Sequence, residues 1–190
     1  LLVHANPSAD TAVLAMVGIG VADTILVLGW CAAGGKEGVR GLRRAGRAGY
    51  YLLAVLAGCC TFLIAHVTIE ALVGWLEVPE VTLSSLFFDA GFGWGAVVLV
   101  MCIQPPIIEE LAFRELALGS LRRLMPAAQA VLVSACMFAV IHMNALGAVH
   151  LLLIGLLAGT LRVRSGSLYP SILLHFVHNG LVVLAEAAAW

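Results

Sequence analysis

Residues 104–121 read QPPIIEELAFRELALGSL. They continue an apolar run that starts near Phe92, so two prolines and a group of charges fall inside what is otherwise a membrane-length segment. An ionisable side chain within a span costs about 2.5–3.5 kcal/mol on insertion scales, so such a cluster needs a function or a partner. Glu110 and Arg114 are four apart with the acid first, the favourable order for an ion pair on one helix face. Glu109 points about 100° away and is left to face a cavity. Pro105 and Pro106 cannot continue an unbroken helical ladder, so a kink or restart is expected just before the charges. A broken helix at membrane depth is tolerated mainly where it lines a cavity.

The whole chain suits a bilayer. Of its 190 residues, 62% are hydrophobic and 11% charged, with a mean hydropathy of +1.06, whereas soluble domains are about 25% charged. Helical spans of roughly 20 residues cross the hydrocarbon core. About six are expected: residues 11–33, 50–78, 92–121, 127–143, 148–161 and 168–187, the fourth and fifth short, forming one all-α polytopic bundle over 1–190. The charges bear on topology: Lys36, Arg40, Arg43, Arg44, Arg47, Arg114, Arg122, Arg123, Arg162 and Arg164 are all ten cations. They fall in or beside alternate connections, so the positive-inside rule puts both termini on the non-cytoplasmic side. Glu77, Glu80 and Asp89 occupy an opposite-side loop. A net charge of −1 without a basic stripe argues against a nucleic-acid partner. No Lys or Arg precedes the first apolar run, so a signal peptide's charged front is not expected. The start at Leu1 without Met is expected of a longer reading frame or a trimmed chain.

Other polar groups recur at helical spacing. Phe138 and His142 form FxxxH near the end of the fourth span, and His175 and Asn179 form HxxxN in the sixth, each pair on one face. His66 and Glu70 share a face of the second span and are candidates to join a polar network, while His178 faces away from Asn179 as a packing residue or a support to the site's own side chains. Gly155 and Gly159 have the GxxxG spacing of close helix packing. Cys31, Cys59, Cys60, Cys102 and Cys136 lie in apolar runs without metal or redox spacing and read as packing residues. There is no GxGD, and Gly166-Ser167 sits at a span boundary without a partner, so presenilin and rhomboid chemistries fit poorly.

EExxxR, FxxxH and HxxxN, in that order on successive spans, resemble the CAAX-protease and bacteriocin-processing (CPBP, Abi) family of intramembrane proteases. The wording QPPIIEELAFRELAL and SGSLYPSILLHFVHNGL is similar to that family's, and the resemblance covers about residues 104–181. It implies a CAAX-protease-like core. Its implied catalytic set is Glu109 as base, His142 as water-orienting partner, and His175 with Asn179 as oxyanion hole, supported by Glu110 and Arg114. Glu115 departs from the family's usual small residue and is expected to crowd the Arg114 ion pair.

Peptide hydrolysis needs an activated water, a stabilised oxyanion and a proton for the leaving amine, and these residues can supply all three. Glu109, His142 and His175 are also a zinc ligand set; the absence of HExxH and the presence of Asn179 favour a metal-free glutamic mechanism with no cofactor. At about 1.5 Å per residue, Glu109 lies about 20 Å from Arg122, His142 about 22 Å from Ala127 and His175 about 10 Å from Leu168. The expected substrate is therefore a membrane-embedded or membrane-anchored protein segment, reached from mid-membrane or the non-cytoplasmic half. The expected location is a bacterial inner membrane. Two other classes remain: a non-catalytic immunity or scaffold protein of the same fold, and a small proton-coupled transporter.

Overall fold

The computed structural model describes residues 8–34, 39–77 and 82–189, all helical or irregular, with no strand among them. Lys36, Val78 and Glu80 lie outside the described residues. Among the described residues seven helices follow one another: α1 (Ala9–Ala33), α2 (Ala48–Leu76), α3 (Leu83–Asp89), α4 (Trp94–Leu121), α5 (Ala127–Ile141), α6 (Ala148–Ser165) and α7 (Tyr169–Ala188). A single 3₁₀ turn, Arg40–Arg43, precedes α2.

Five helices, α1, α2, α4, α6 and α7, are long and apolar enough to cross a membrane; α5 is apolar but only 15 residues long. The expected six spans are thus five full helices and one short one. Two boundaries move. α5 stops at Ile141, leaving His142 as its cap, and the chain turns through Met143 in the left-handed region (φ +46°). α6 runs on to Ser165, past the expected end at 161, because Glu115 pairs with Arg162 and holds its last turn within the protein. The acidic loop contains a short helix, α3, whose first N–H groups, those of Leu83 and Ser84, donate to Glu186 of α7.

α7 is central, packing on α2, α6 and α4, while α5 lies along α6 and α1 rests on α3 and α4. Ala54, Phe138, Leu151, Ile154 and Leu174 bring α2, α5, α6 and α7 into one buried cluster. Lipid tails are as apolar as Leu, so association depends on close approach of backbones at small residues. At Gly155 a Cβ would lie 2.8 Å from the Ala135 Cα, and at Gly159 3.0 Å from Val131, so the GxxxG face is the α5–α6 seam. Gly58 does the same between α2 and α7, 2.8 Å from the Leu174 carbonyl.

Gly155→Leu is expected to destabilise the protein by about 1–3 kcal/mol, the usual cost of overpacking. Gly18→Leu on α1, where a Cβ would meet nothing within 4 Å, is expected to be neutral. Thermal unfolding of the two variants in one detergent checks the pair.

Candidate active site

The site is set by how α4 accommodates its prolines. The helix does not unwind. It passes through a π-helical segment at Val98–Ile103, restarts as α-helix over Gln104–Glu110 with the prolines in its first turn, and enters a second π segment at Leu111–Ala117. Wide turns of this kind concentrate at functional sites. Pro105 has no N–H to give the carbonyl four residues back, that of Met101. Asn179 of α7 supplies the missing donor, its Nδ2 lying 2.8 Å from the Met101 oxygen. The Gln104 side chain donates to the Gly20 carbonyl and to Thr24, each at 3.1 Å, and so ties α1 to the restart.

Glu109 and Glu110 then diverge as their spacing predicts. Glu110 is 0% and Arg114 1% exposed. The Arg114 Nε stands 3.1 Å from a Glu110 oxygen, without the alignment of a hydrogen bond. The guanidinium also lies 4.5 Å over the Phe138 ring, where the ring's quadrupole attracts it. The other Glu110 oxygen, Oε1, faces His175 Nδ1 at 3.2 Å. Glu110 therefore holds both an arginine and a histidine, a second role that helical spacing within α4 could not reveal.

Glu109 meets both motif histidines. Its Oε2 is 3.6 Å from His142 Nε2 and 4.0 Å from His175 Nε2. The side chain is 28% exposed overall, yet Oε2 itself is buried and has no hydrogen-bond partner among the described residues. His142 is oriented by its own helix end, Nδ1 lying 2.7 Å from the Phe138 carbonyl. Phe138 is the hub that FxxxH implied only in outline. Its carbonyl holds His142, its ring packs at 4.6 Å on His142 and 5.8 Å edge-on to His175, and Arg114 covers it.

The structure thus gathers Glu109, His142 and His175, supports them with Glu110, Arg114 and Phe138, and places Asn179 on the adjoining wall. One Asn179 N–H is committed to Met101, which leaves the other for a ligand. Asn179→Ala would strand that carbonyl and is expected to cost about 1–3 kcal/mol in stability, apart from any effect on activity; unfolding measured beside kcat separates the two.

Two expectations change. Glu115 does not crowd Arg114. It faces α6, accepting from Arg162 at 2.7 and 3.1 Å and from the Gly41 N–H at 2.7 Å, and so clamps the turn before α2. His66 and Glu70 pair with each other at 3.2 Å instead of reaching Glu109. They line a separate cavity of about 790 Å³ with His150 and His178. His178 is held by Thr61 Oγ1 at 3.0 Å and stacks on His150, a contact with no signal in the sequence.

A zinc ion would draw on Glu109, His142 and His175. Ligand atoms about 2.1 Å from a tetrahedral metal lie roughly 3.4 Å apart, and these stand somewhat wider. Among the described residues no group of three His, Cys, Asp or Glu is gathered closely enough to hold a metal ion.

Residues 91–181 match the family profile described as Type II CAAX prenyl endopeptidase Rce1-like. Over this segment, a little under half of the chain, the protein is similar to the CAAX-protease family. The matched CAAX-protease segment runs from just before α4 to two residues past Asn179, and so includes every residue of the cluster described above. No curated protein and no solved structure gave a match. The match supports an intramembrane CAAX-protease function, and the five long apolar helices mark an integral membrane protein.

Proposed function

We propose that the protein is an intramembrane endopeptidase that hydrolyses a peptide bond in or near a membrane segment of a protein substrate, using a water activated by Glu109. The observation that carries this reading is the buried, unpartnered Oε2 of Glu109 between two imidazoles.

The hydrogen-bond chemistry narrows what sits there. A carbonyl only accepts, so His142 Nδ1 carries its proton toward Phe138 and the neutral ring presents a lone pair at Nε2. The Glu110 carboxylate fixes His175 in the same tautomer. Three acceptors therefore converge, and a water donates to two of them, one hydrogen to Glu109 and one to His142. Glu109 takes the first proton as the water oxygen attacks the scissile carbonyl. The remaining Asn179 N–H stabilises the oxyanion. Glu109 then returns its proton to the leaving amine, and the peptide C–N bond breaks.

In this reading no metal takes part, and Arg114 and Glu110 act by holding His175 and Phe138. Purified protein in proteoliposomes, with its metal content measured, tests the point against a single-span substrate. Cleavage that persists at sub-stoichiometric zinc and in chelator is expected. Stoichiometric zinc together with chelator-sensitive cleavage would transfer the chemistry to a metal. A scaffold or transporter of the same fold would give no cleavage under either condition.

A further inference from the structure

We propose that the cleft between α2 and α6 at the arginine-rich end of the bundle is a binding site for one anionic phospholipid, its phosphate between Arg47 and Arg164 and one acyl chain in the groove below.

α2 begins at Ala48 and α6 ends at Ser165, so as antiparallel neighbours they bring Arg47 and Arg164 to the mouth of one cavity of about 580 Å³. Below that mouth the walls turn apolar: Leu53 and Ala57 on one side and Leu157 on the other, with Tyr50 also lining the cleft. From Arg47 to Ala57 the groove descends about 15 Å at 1.5 Å per residue. That is one leaflet of a hydrocarbon core about 30 Å thick. A charged head above a chain-length apolar cleft one leaflet deep is the profile of a lipid.

Charge decides which lipid. Among the described residues no acidic side chain lines the cleft and neither Arg47 nor Arg164 makes an ion pair, whereas Arg162, two residues before Arg164, is neutralised by Glu115. Guanidinium groups match phosphate oxygens bidentately, and each basic side chain at a membrane surface attracts anionic lipid by about a fivefold factor. The position of Arg47 is fixed from both sides. The Tyr51 hydroxyl donates to the Ala45 carbonyl, and Gly46, in the left-handed region at φ +76°, backs onto Ser167 with room for no more than a tight Cβ. The proposal is independent of the hydrolytic chemistry, since none of these residues belongs to the Glu109 cluster.

The test uses the full chain in detergent, titrated with phosphatidylglycerol or phosphatidylcholine and read by native mass spectrometry. Wild type is expected to retain phosphatidylglycerol roughly thirtyfold more tightly than R47Q/R164Q, with phosphatidylcholine held weakly and equally by both. Ala57→Trp, which fills the groove and keeps both arginines, is expected to lose phosphatidylglycerol too. Melting temperatures in neutral detergent confirm that each variant is folded. Three results would overturn the site: equal retention of the two lipids by wild type, undiminished phosphatidylglycerol binding in either variant, or displacement of the lipid by a farnesylated peptide, which would give the groove to substrate.

Discussion

Glu109→Gln is expected to lower kcat for cleavage of a single-span substrate about 1000-fold, the midrange contribution of a positioned general base. The amide has the size and much of the hydrogen-bonding capacity of the carboxylate but cannot take the proton of the attacking water. KM should change little, because Glu109 is assigned to the water and not to substrate binding. The fold should survive, and even gain. Oε2 of Glu109 is buried with no hydrogen-bond partner among the described residues, and a neutral amide is cheaper to bury there than a charge. A variant that melts no lower than wild type and yet fails to cleave separates chemistry from folding. Cleavage within a few-fold of wild type would remove Glu109 as the base.

Arg114→Met is expected to have the largest effect on stability, about 3–5 kcal/mol, because it leaves the Glu110 carboxylate buried at 0% exposure without its counter-charge. Replacing both partners by apolar residues of similar size is often neutral or stabilising. Arg114→Met/Glu110→Met should therefore recover most of the lost stability. It should not recover activity, because His175 Nδ1 loses the Glu110 oxygen 3.2 Å away that fixes its tautomer. Thermal unfolding and cleavage measured on the wild type, both single variants and the double variant close the cycle. A single Arg114→Met that unfolds like wild type would show that the pair does not hold the site.

The parts of this architecture that depend on short-range pattern were legible in the sequence. Glu110 and Arg114 are one helical turn apart and meet; Gly155 and Gly159 are one turn apart and form a seam; the prolines mark a restart. What the sequence hid is tertiary. Glu115 has its partners at Gly41 and Arg162, 74 and 47 residues away, and only the assembled bundle makes them neighbours. The two π segments have no composition of their own, since they come from fitting a proline and packed neighbours into a continuous rod. Asn179 shows both levels at once. Its place one turn after His175 was readable, but its bond to the carbonyl that Pro105 leaves without a partner required α4 and α7 to be side by side. His66 and Glu70 share a face as their spacing implied, but that face lines the separate cavity with His150 and His178, away from Glu109.

The most direct test of the central claim is to map, by mass spectrometry, the products formed from a single-span substrate in proteoliposomes by wild type and Glu109→Gln side by side. Wild-type cleavage at a defined bond within or beside the membrane segment, absent with the folded variant, is the predicted result. The same bond cut by both proteins at similar rates would contradict it.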